Sequence, residues 1–318
     1  MLQYIGRRLL TLLPTVLVPI VFVFFLVRLA PGDPARSILG DYATDEEVAA
    51  LRTELGLDKS LVVQFWDFLS GIPKFEFGQS FYMGMPVNEI VPPYAQVTLE
   101  IGAMALIWAV VLGVAIGTIG ALRRNKLSGK IANAYGILGI SIPGFFTAII
   151  MVVILAVNLK LFEVGLYVPP EEGYFEHLKS LFMPSLALGI AEAAFVARIT
   201  RGALLDVLNE PFITTARSVG VSDGRIFRVH VLRLVALQIL TVMGLFTASL
   251  VSGSVIMESI FAVPGIGSLL LNAVFGRDYA LIQGIVILTG ALIISVNLIV
   301  DILYAIVDPR VQYGKKSA

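Results

Sequence analysis

The segment TTARSVGVSDGRIF, residues 214–227, is polar and contains two glycines, yet it lies between two long apolar runs. The chain around it is strongly hydrophobic: 57% of its 318 residues are apolar, 14% are charged, and the mean hydropathy is +0.88. These values lie outside the range of soluble domains and predict an integral membrane protein. The absence of cysteine excludes disulfides and cysteine-ligated metals, and two histidines leave little for a histidine-rich metal site.

Six apolar runs approach the length of about 20 residues that a membrane-spanning helix needs. They cover residues 9–30, 99–122, 136–157, 182 to about 197, about 234 to 256, and 282–307. The first run is too long for a signal peptide, and Arg28 stands where a cleavage site needs a small residue, so we expect an anchor helix. The fourth run is the weakest, because it is short and contains Glu192.

The sign of the charge alternates along the segments that connect these runs. Acidic residues dominate 31–97, and to a lesser degree 160–179, whereas 123–130 contains four basic residues and no acid. The region 198–233 has six arginines against three acids. The positive-inside rule then predicts six spans with both termini in the cytoplasm, which places residues 214–227 there.

This topology divides the chain into an N-terminal anchor (1–30), an extracytoplasmic segment (31–97), a five-helix core (98–307) and a cytoplasmic tail (308–318). Within the extracytoplasmic segment, DEEVAALRTELG (45–56) predicts an amphipathic helix. Thr44 suits its N-cap, Glu47 completes a capping box, and Gly56 suits its end.

No motif for enzyme chemistry is present. The phosphate-binding pattern GxxxxGK[ST] is absent, since Gly129-Lys130 is followed by Ile131. His177 and His230 fall in predicted outer and inner loops, outside any HExxH or triad spacing. We therefore expect no catalytic residues, no metal and no cofactor on this chain.

The segment that begins at Asn209 predicts two short cytoplasmic helices. Asn209 suits an N-cap, Pro211 a first turn, and Gly220 a left-handed end, which gives a helix of about ten residues. Ser222 suits the N-cap of a second helix, which contains Arg225, Arg228 and Arg233 and continues into the fifth span. Such a rigid projection fits a cleft on a partner protein. The alternative is a solvated loop whose arginines only fix the topology.

TARSVG (215–220) resembles the cytoplasmic EAA loop of ABC-importer permease subunits, and it fits the TARAKG form of the peptide-transporter branch better than the general consensus. HVLR (230–233) also resembles that branch, although Leu234 and Gln238 replace its Asn and Pro. Four further stretches resemble the first permease subunit of dipeptide, oligopeptide and nickel importers: MLQYIGRRLLTLLPT (1–15), PGDP (31–34), ESIFAVPGIGSLLLNAVFGRDYALIQG (258–284) and DILYAIVDPRVQYG (301–314).

This resemblance implies the all-α type I ABC importer permease fold in a bacterial or archaeal cytoplasmic membrane. It implies, as partners, a second permease, two cytoplasmic ATPase subunits that bind ATP and Mg, and an extracytoplasmic substrate-binding protein, with no nucleic acid. The loop would dock on an ATPase, where Ala216 would permit close approach and Gly220 would form the turn. The other residues expected in this docking loop are Thr215 and two arginines that would make polar contacts, Arg217 and Arg225. Alternatively, each arginine serves only as a positive charge that keeps the loop on the cytoplasmic side.

Ionisable and amide groups at membrane depth are candidates for the translocation path. We expect Glu192 to face the path or to pair with an arginine, and Asn297 to line its cytoplasmic half together with Asp301, which is alternatively hydrated. For Glu100 and Glu258, near the outer ends of spans, we expect hydration or side chains that snorkel toward the membrane surface. The resemblance implies that the broken segment 261–278 dips toward the pore mouth and meets the binding protein.

Small residues indicate where helices approach closely. Gly113 and Gly117 form a GxxxG pattern, and Gly136 and Gly139 a similar stripe.

Peptides are the expected substrate class. Nickel chelates, haem, glutathione, opines and short oligosaccharides remain alternatives, because in such importers the binding protein does most of the selecting. An autonomous secondary transporter is the remote alternative; it would need internal repeats and further deep carboxylates, which this sequence lacks.

Overall fold

The computed structural model describes residues 17–29, 32–40 and 42–307, and it is mostly helical. The α-helices of this part of the chain are α1 (Leu17–Leu29), α2 (Pro34–Leu39), α3 (Asp45–Glu54), α4 (Leu61–Gly71), α5 (Val87–Leu122), α6 (Leu127–Leu138), α7 (Gly144–Met151), α8 (Tyr174–Leu208), α9 (Pro211–Ser218), α10 (Asp223–Ile226), α11 (Leu232–Phe261), α12 (Ile266–Phe275) and α13 (Tyr279–Val307). Two short antiparallel strands, β1 (Gln79–Ser80) and β2 (Met85–Pro86), pair with Gln79 opposite Pro86.

The described helices confirm the predicted all-α membrane fold. Four are long and apolar enough to cross a membrane, and two interrupted pairs bring the number to as many as six. The four spans are Val87–Leu122, Tyr174–Leu208, Asp223–Gly244 and Tyr279–Ile299. Part of the predicted anchor (residues 1–16 and 30), the tail 308–318, and the side chains of His230 and Asp301 lie outside what the structure describes.

The third predicted span, 136–157, is wrong as one continuous helix. The chain bends by 108° between Leu127–Ser141 and Gly144–Asn158. The break falls at Ile142, which is extended (φ −89°, ψ 119°) because Pro143 follows it. Proline disfavours a helical conformation in the residue before it and has no N–H of its own to donate to the helix.

Grouped by mutual contacts, the chain forms two compact units: unit 1 comprises Met1–Thr98 and Pro264–Ile294, and unit 2 comprises Leu99–Val263 and Ser295–Ala318. In unit 1, apolar side chains of α1, the start of α5, α12 and the start of α13 form one core. Asp278 fastens the hairpin to this core, because its carboxylate accepts hydrogen bonds from Ser80 Oγ at 2.6 Å and from the Leu281 N–H at 3.0 Å.

The predicted amphipathic helix in unit 1 is confirmed as α3. Thr44 is its N-cap, and the capping box with Glu47 is complete. Gly56 follows its end with φ +65°. The backbone N–H of Thr44 donates to the Glu47 carboxylate at 2.8 Å, and this bond, together with the Thr44 hydroxyl, lowers the pKa of Glu47.

Unit 2 is built around α8, which packs against α6, α7 and α11. This explains the weak fourth run: α8 has 35 residues, far more than the predicted 182–197, and most of its apolar window is buried inside the protein. A helix surrounded by other helices needs less lipid-facing hydrophobicity than a peripheral one.

Glycine allows close helix contact at the predicted places in unit 2. A Cβ at Gly113 would lie 2.5 Å from Val196 Cβ, and one at Gly117 would lie 2.5 Å from the Ala197 carbonyl oxygen, so α5 and α8 meet at backbone distance. A Cβ at Gly139 would lie 2.6 Å from Ala194 Cβ. The GxxxG expectation is therefore confirmed. In the second stripe only Gly139 makes a close approach, because the nearest atoms to a Cβ at Gly136 would lie at an ordinary distance of 3.6 Å.

Candidate functional site

The first helix of the predicted cytoplasmic segment is α9, and it begins one residue later than expected. Glu210, not Asn209, is the N-cap, with extended dihedral angles (φ −66°, ψ 141°) and no side-chain capping bond. Asn209 still has helical dihedral angles (φ −90°, ψ −3°), because it ends α8. Pro211 explains the shift, since it requires an extended residue before it and suits the first helical position.

The end of α9 is closed by a complete Schellman motif. Gly220 has φ +84°. The Val221 N–H donates to the Ala216 carbonyl at 3.0 Å, and the Gly220 N–H donates to the Arg217 carbonyl at 3.0 Å. These are the two bonds that define the motif, so the predicted left-handed glycine is confirmed.

The inner face of α9 is anchored in unit 2. Ile213 is 1% exposed and lies in a cluster with Leu204, Val207 and Ile226. Ala216 is half-buried and packs against the same cluster. The structure thus directs Ala216 toward its own unit, where its small side chain lets α9 lie close to α8 and α10.

The outer face of α9 is open to solvent. Thr215 is exposed, and its hydroxyl donates back to the Pro211 carbonyl at 3.2 Å. Arg217 Nε donates to Asp223 Oδ1 at 2.8 Å, which joins α9 to α10 across the turn. Val219 is 73% exposed, a large apolar side chain at the tip of a polar loop.

The prediction of a second helix that continues into the fifth span is confirmed, because α10 leads directly into α11. Ser222 is the N-cap of α10 by its dihedral angles (φ −67°, ψ 144°), although its side chain makes no capping bond. A π-helical turn, Phe227–Val231, joins α10 to α11. Arg225 is exposed beside the turn, as is Arg228.

The two candidate path residues lie on different helices. Glu192 is half-buried on α8, next to Ala193 and Ala194, which are both fully buried. Asn297 is half-buried on α13. Both side chains are therefore partly enclosed, and each lies on a helix long and apolar enough to cross a membrane.

The expectation that Glu258 is hydrated is wrong, because it is 0% exposed on α11. The predicted fifth run ends two residues before Glu258, whereas α11 continues to Phe261, so its burial follows from the longer helix. Among the described residues, no group of three or more His, Cys, Asp or Glu side chains is arranged to hold a metal ion.

Glu100 is also not simply hydrated, since it contacts a buried histidine. His177 Nε2 lies 2.6 Å from Glu100 Oε2, and His177 Nδ1 lies 2.7 Å from the Val168 carbonyl oxygen. The ring is fully buried and meets Tyr167 edge-on at 5.7 Å. Burial raises the pKa of the Tyr167 hydroxyl, and the carboxylates of Glu100 and Glu171 add to this shift. A separation of 77 residues left no sequence signal for the Glu100–His177 pair.

Comparison of the sequence with models of protein families identifies the family of this chain. Residues 109–313 match the model of the binding-protein-dependent transport system inner membrane component, and residues 1–89 match the N-terminal model of the same system. The chain belongs to this family. It is a permease of a binding-protein-dependent ABC importer, with several membrane-crossing helices.

Relatives of this permease match it over nearly its whole length. A peptide transport system permease protein of Brucella abortus is 36% identical over 313 residues, which cover 98% of this chain and 100% of the relative. A glutathione transport system permease protein of Salmonella typhimurium is 38% identical, with the same coverage. Among solved structures, the inward-facing MetNI methionine ABC transporter has a TM-score of 0.57 at 17% identity, covering 69% of this chain and 96% of that one, a likeness in fold.

Proposed function

We propose that this permease forms half of the translocation path for di- or oligopeptides in an ATP-driven importer, and that residues 206–233, here called the coupling loop, transmit force from the ATPase. The observation that supports this most directly is α9, a helix closed by a Schellman motif and anchored by Ile213, with an exposed outer face. A rigid projection of this kind can transmit a displacement, whereas a solvated loop would absorb it.

The outer face of the coupling loop has the chemistry of a docking surface. Val219 supplies an exposed apolar tip, Thr215 a hydroxyl, and Arg217 and Arg225 positive charge. Protein interfaces combine such apolar centres with polar rims, and arginine is enriched in them. Ala216 contributes indirectly, because its small side chain lets α9 pack closely against the rest of unit 2.

The proposed assembly contains a second permease, two ATPase subunits that bind ATP and Mg, and an extracytoplasmic binding protein. This chain lacks the GxxxxGK[ST] pattern for nucleotide phosphates, so ATP hydrolysis would occur on the ATPase chains. The alternating loop charges support a cytoplasmic location for both termini, in a bacterial or archaeal inner membrane. The coupling loop then faces the ATPases.

Within the membrane, Glu192 and Asn297 are the proposed path residues, and the buried Glu258 joins them as a third candidate. An ionisable group enclosed at membrane depth is costly unless it serves a pathway or a specific pairing. Peptide uptake by the variants Glu192→Gln, Glu258→Gln and Asn297→Leu separates path residues from packing residues.

Affinity purification of this chain in mild detergent, with mass spectrometry of its companions, tests the assembly. We expect a second permease and one or two kinds of ATPase. Recovery of the chain alone, together with uptake that needs no ATP, would instead support an autonomous secondary transporter.

A charge exchange tests whether Arg217 contacts the ATPase. Asp223→Arg and Arg217→Asp each break the pair joining α9 to α10, and the double variant restores it with reversed polarity. If Arg217 only braces the loop, the double variant recovers uptake. If Arg217 also contacts the ATPase, as we propose, the double variant stays defective although its fold is intact.

Uptake of labelled substrates tests the peptide class. Peptides are favoured because one relative is named for peptides and another for glutathione, itself a tripeptide. Competition by unlabelled di- and tripeptides, glutathione, nickel chelates, haem, opines and oligosaccharides ranks the alternatives. Strong competition by a non-peptide alone would overturn the assignment.

A further inference from the structure

Unit 1 contains a cavity of about 170 Å³ between its extramembrane part and two helix ends. Five parts of the unit line it: the end of α1, the start of α2, the chain that follows α3, the chain around strand β1, and the start of α13. Its polar lining residues are Arg28, Gln79, Tyr279 and Gln283. Since a cavity needs roughly 10–15 Å³ to hold one water molecule, this one has room for a phosphate or carboxylate group with some water.

Arg28 brings a positive charge to this cavity, and its partners among the described residues are uncharged. Its Nε donates to the amide oxygen of Gln64 at 2.9 Å, and its Nη1 donates to the Phe24 carbonyl at 3.2 Å. The guanidinium also lies 3.6 Å above the Phe24 ring. All these partners are neutral, and no carboxylate of the described residues forms an ion pair with Arg28.

An acid of the same unit, Asp33, is paired with a different arginine, Arg52. Its carboxylate lies 2.9 Å from Arg52 Nη2 and accepts a hydrogen bond from the Ala35 N–H at 3.2 Å. A half-buried guanidinium is stabilised by an anion that replaces its lost water. The charge balance around Arg28 therefore favours an anionic ligand.

Gln283 supplies a second and independent observation. It is 4% exposed, and its Nε2 donor has no hydrogen-bond partner among the described residues. Buried amide donors are almost always paired, because an unpaired one loses its hydration without compensation. A ligand with acceptor oxygens in the cavity would satisfy this donor.

We propose that this cavity binds a single oxyanion group, a phosphate or a carboxylate. Arg28 provides the charge-assisted hydrogen bonds, Gln283 donates its amide hydrogen, and Tyr279 offers its hydroxyl. The group can come from a lipid headgroup or from a small solute, since both present the same oxygens. This site is separate from the coupling loop, and it would tie the extramembrane part of unit 1 to α1 and α13.

The test uses the purified permease assembly in phosphatidylcholine nanodiscs. In one arm, inorganic phosphate or acetate replaces chloride at constant ionic strength. In the other arm, phosphatidylglycerol replaces part of the phosphatidylcholine. Hydrogen exchange is followed at residues 55–57 and 78–81, which lie beside the cavity, and native mass spectrometry counts retained lipid. We expect slower exchange in at least one arm, and the responding arm identifies the source of the oxyanion.

Variants assign the response to the cavity. Arg28→Gln and Gln283→Leu are each expected to lower the affinity for the ligand that produces the response by about tenfold or more, because charge-assisted and buried hydrogen bonds are lost. Arg28→Lys, which keeps the charge, should retain part of the response. Arg36→Gln is the matched control, because Arg36 is a surface arginine of the same unit paired with the exposed Asp45.

Two results would overturn the proposal. The first is a wild-type assembly whose exchange changes in neither arm, a measurement that does not depend on any variant folding. The second is a response that Arg28→Gln leaves intact, or that the control Arg36→Gln reduces as much. Loss of peptide uptake without loss of this response would count against the transport proposal alone.

Discussion

At the scale of single residues, Gly220 has the most specific geometric requirement in the coupling loop. Its φ of +84° is expensive for residues with a Cβ, by about 1–2 kcal/mol and by more for β-branched side chains. We predict that Gly220→Val opens the Schellman motif and abolishes ATP-driven uptake, while membrane insertion is unchanged. Uptake into vesicles, with immunodetection of the inserted chain, measures both.

Two companion variants sharpen this prediction. Gly220→Asn should retain part of the uptake, because asparagine tolerates the left-handed region. Gly202→Val is the control, since Gly202 lies in α8, outside the coupling loop, without a positive φ and with no atom of the described residues within 4 Å of an added Cβ. Wild-type transport by Gly220→Val would show that the helix end is irrelevant to coupling.

The Glu100–His177 pair permits a second prediction at this scale. Both ring nitrogens of His177 face acceptor oxygens, so a proton must lie between Nε2 and the Glu100 carboxylate. Glu100→Leu leaves a buried nitrogen unpaired and should lower the free energy of unfolding by about 1–3 kcal/mol. Glu100→Gln should cost less, because its amide can donate to the neutral ring.

Denaturant titration of the detergent-solubilised chain measures these differences. Glu176→Gln is the control, because Glu176 forms only an exposed pair with Lys179 at 3.8 Å, and we expect a change within about 0.5 kcal/mol. Equal losses for the Leu and Gln variants at position 100 would contradict the shared proton.

At the scale of helices, close packing of α5 against α8 depends on missing side chains. A Cβ at Gly117 would lie 2.5 Å from the Ala197 carbonyl oxygen and 2.7 Å from Thr200 Cβ. Gly117→Val should therefore separate the two helices, at a cost of about 1–3 kcal/mol or more. The yield of monodisperse protein and its thermal midpoint are the readouts.

Gly102→Val on α5 and Gly202→Val on α8 are the matched controls, because no atom of the described residues lies within 4 Å of a Cβ at either position. Both should behave as wild type. A Gly117→Val protein as stable as these two would show that α5 and α8 accommodate a larger separation.

Helix ends were predicted better than helix continuity. Thr44, Pro211 and Gly220 act through their own backbone and side-chain geometry, so their local roles follow from the sequence. The cap at Asn209 was wrong because two suitable residues were adjacent and Pro211 selected Glu210. The break before Pro143 lay inside an apolar run, where hydropathy alone suggested one span.

At the scale of the whole molecule, the distribution of charge should determine the topology. Arg123 and Arg124 begin the turn between α5 and α6, a segment without acids. Replacing both by glutamine weakens the positive-inside signal, so a reporter fused after Lys130, downstream of both residues, should become partly extracytoplasmic. The double variant Arg36→Gln, Arg52→Gln, in the acidic segment, should not move that reporter. A reporter that stays cytoplasmic in the Arg123, Arg124 variant would contradict the charge argument.

The sequence by itself determined the membrane class, the family and the glycine-closed end of the helix in the coupling loop. Each depends on composition or on short stretches such as TARSVG (215–220), whose physics is local. Tertiary structure alone decided which groups are enclosed. The packing of distant segments buries Glu258 and brings Glu100 into contact with His177. It also forms the cavity beside Arg28 and Gln283. Composition and spacing do not encode those approaches, because the same apolar helix can face lipid or protein until its neighbours are placed.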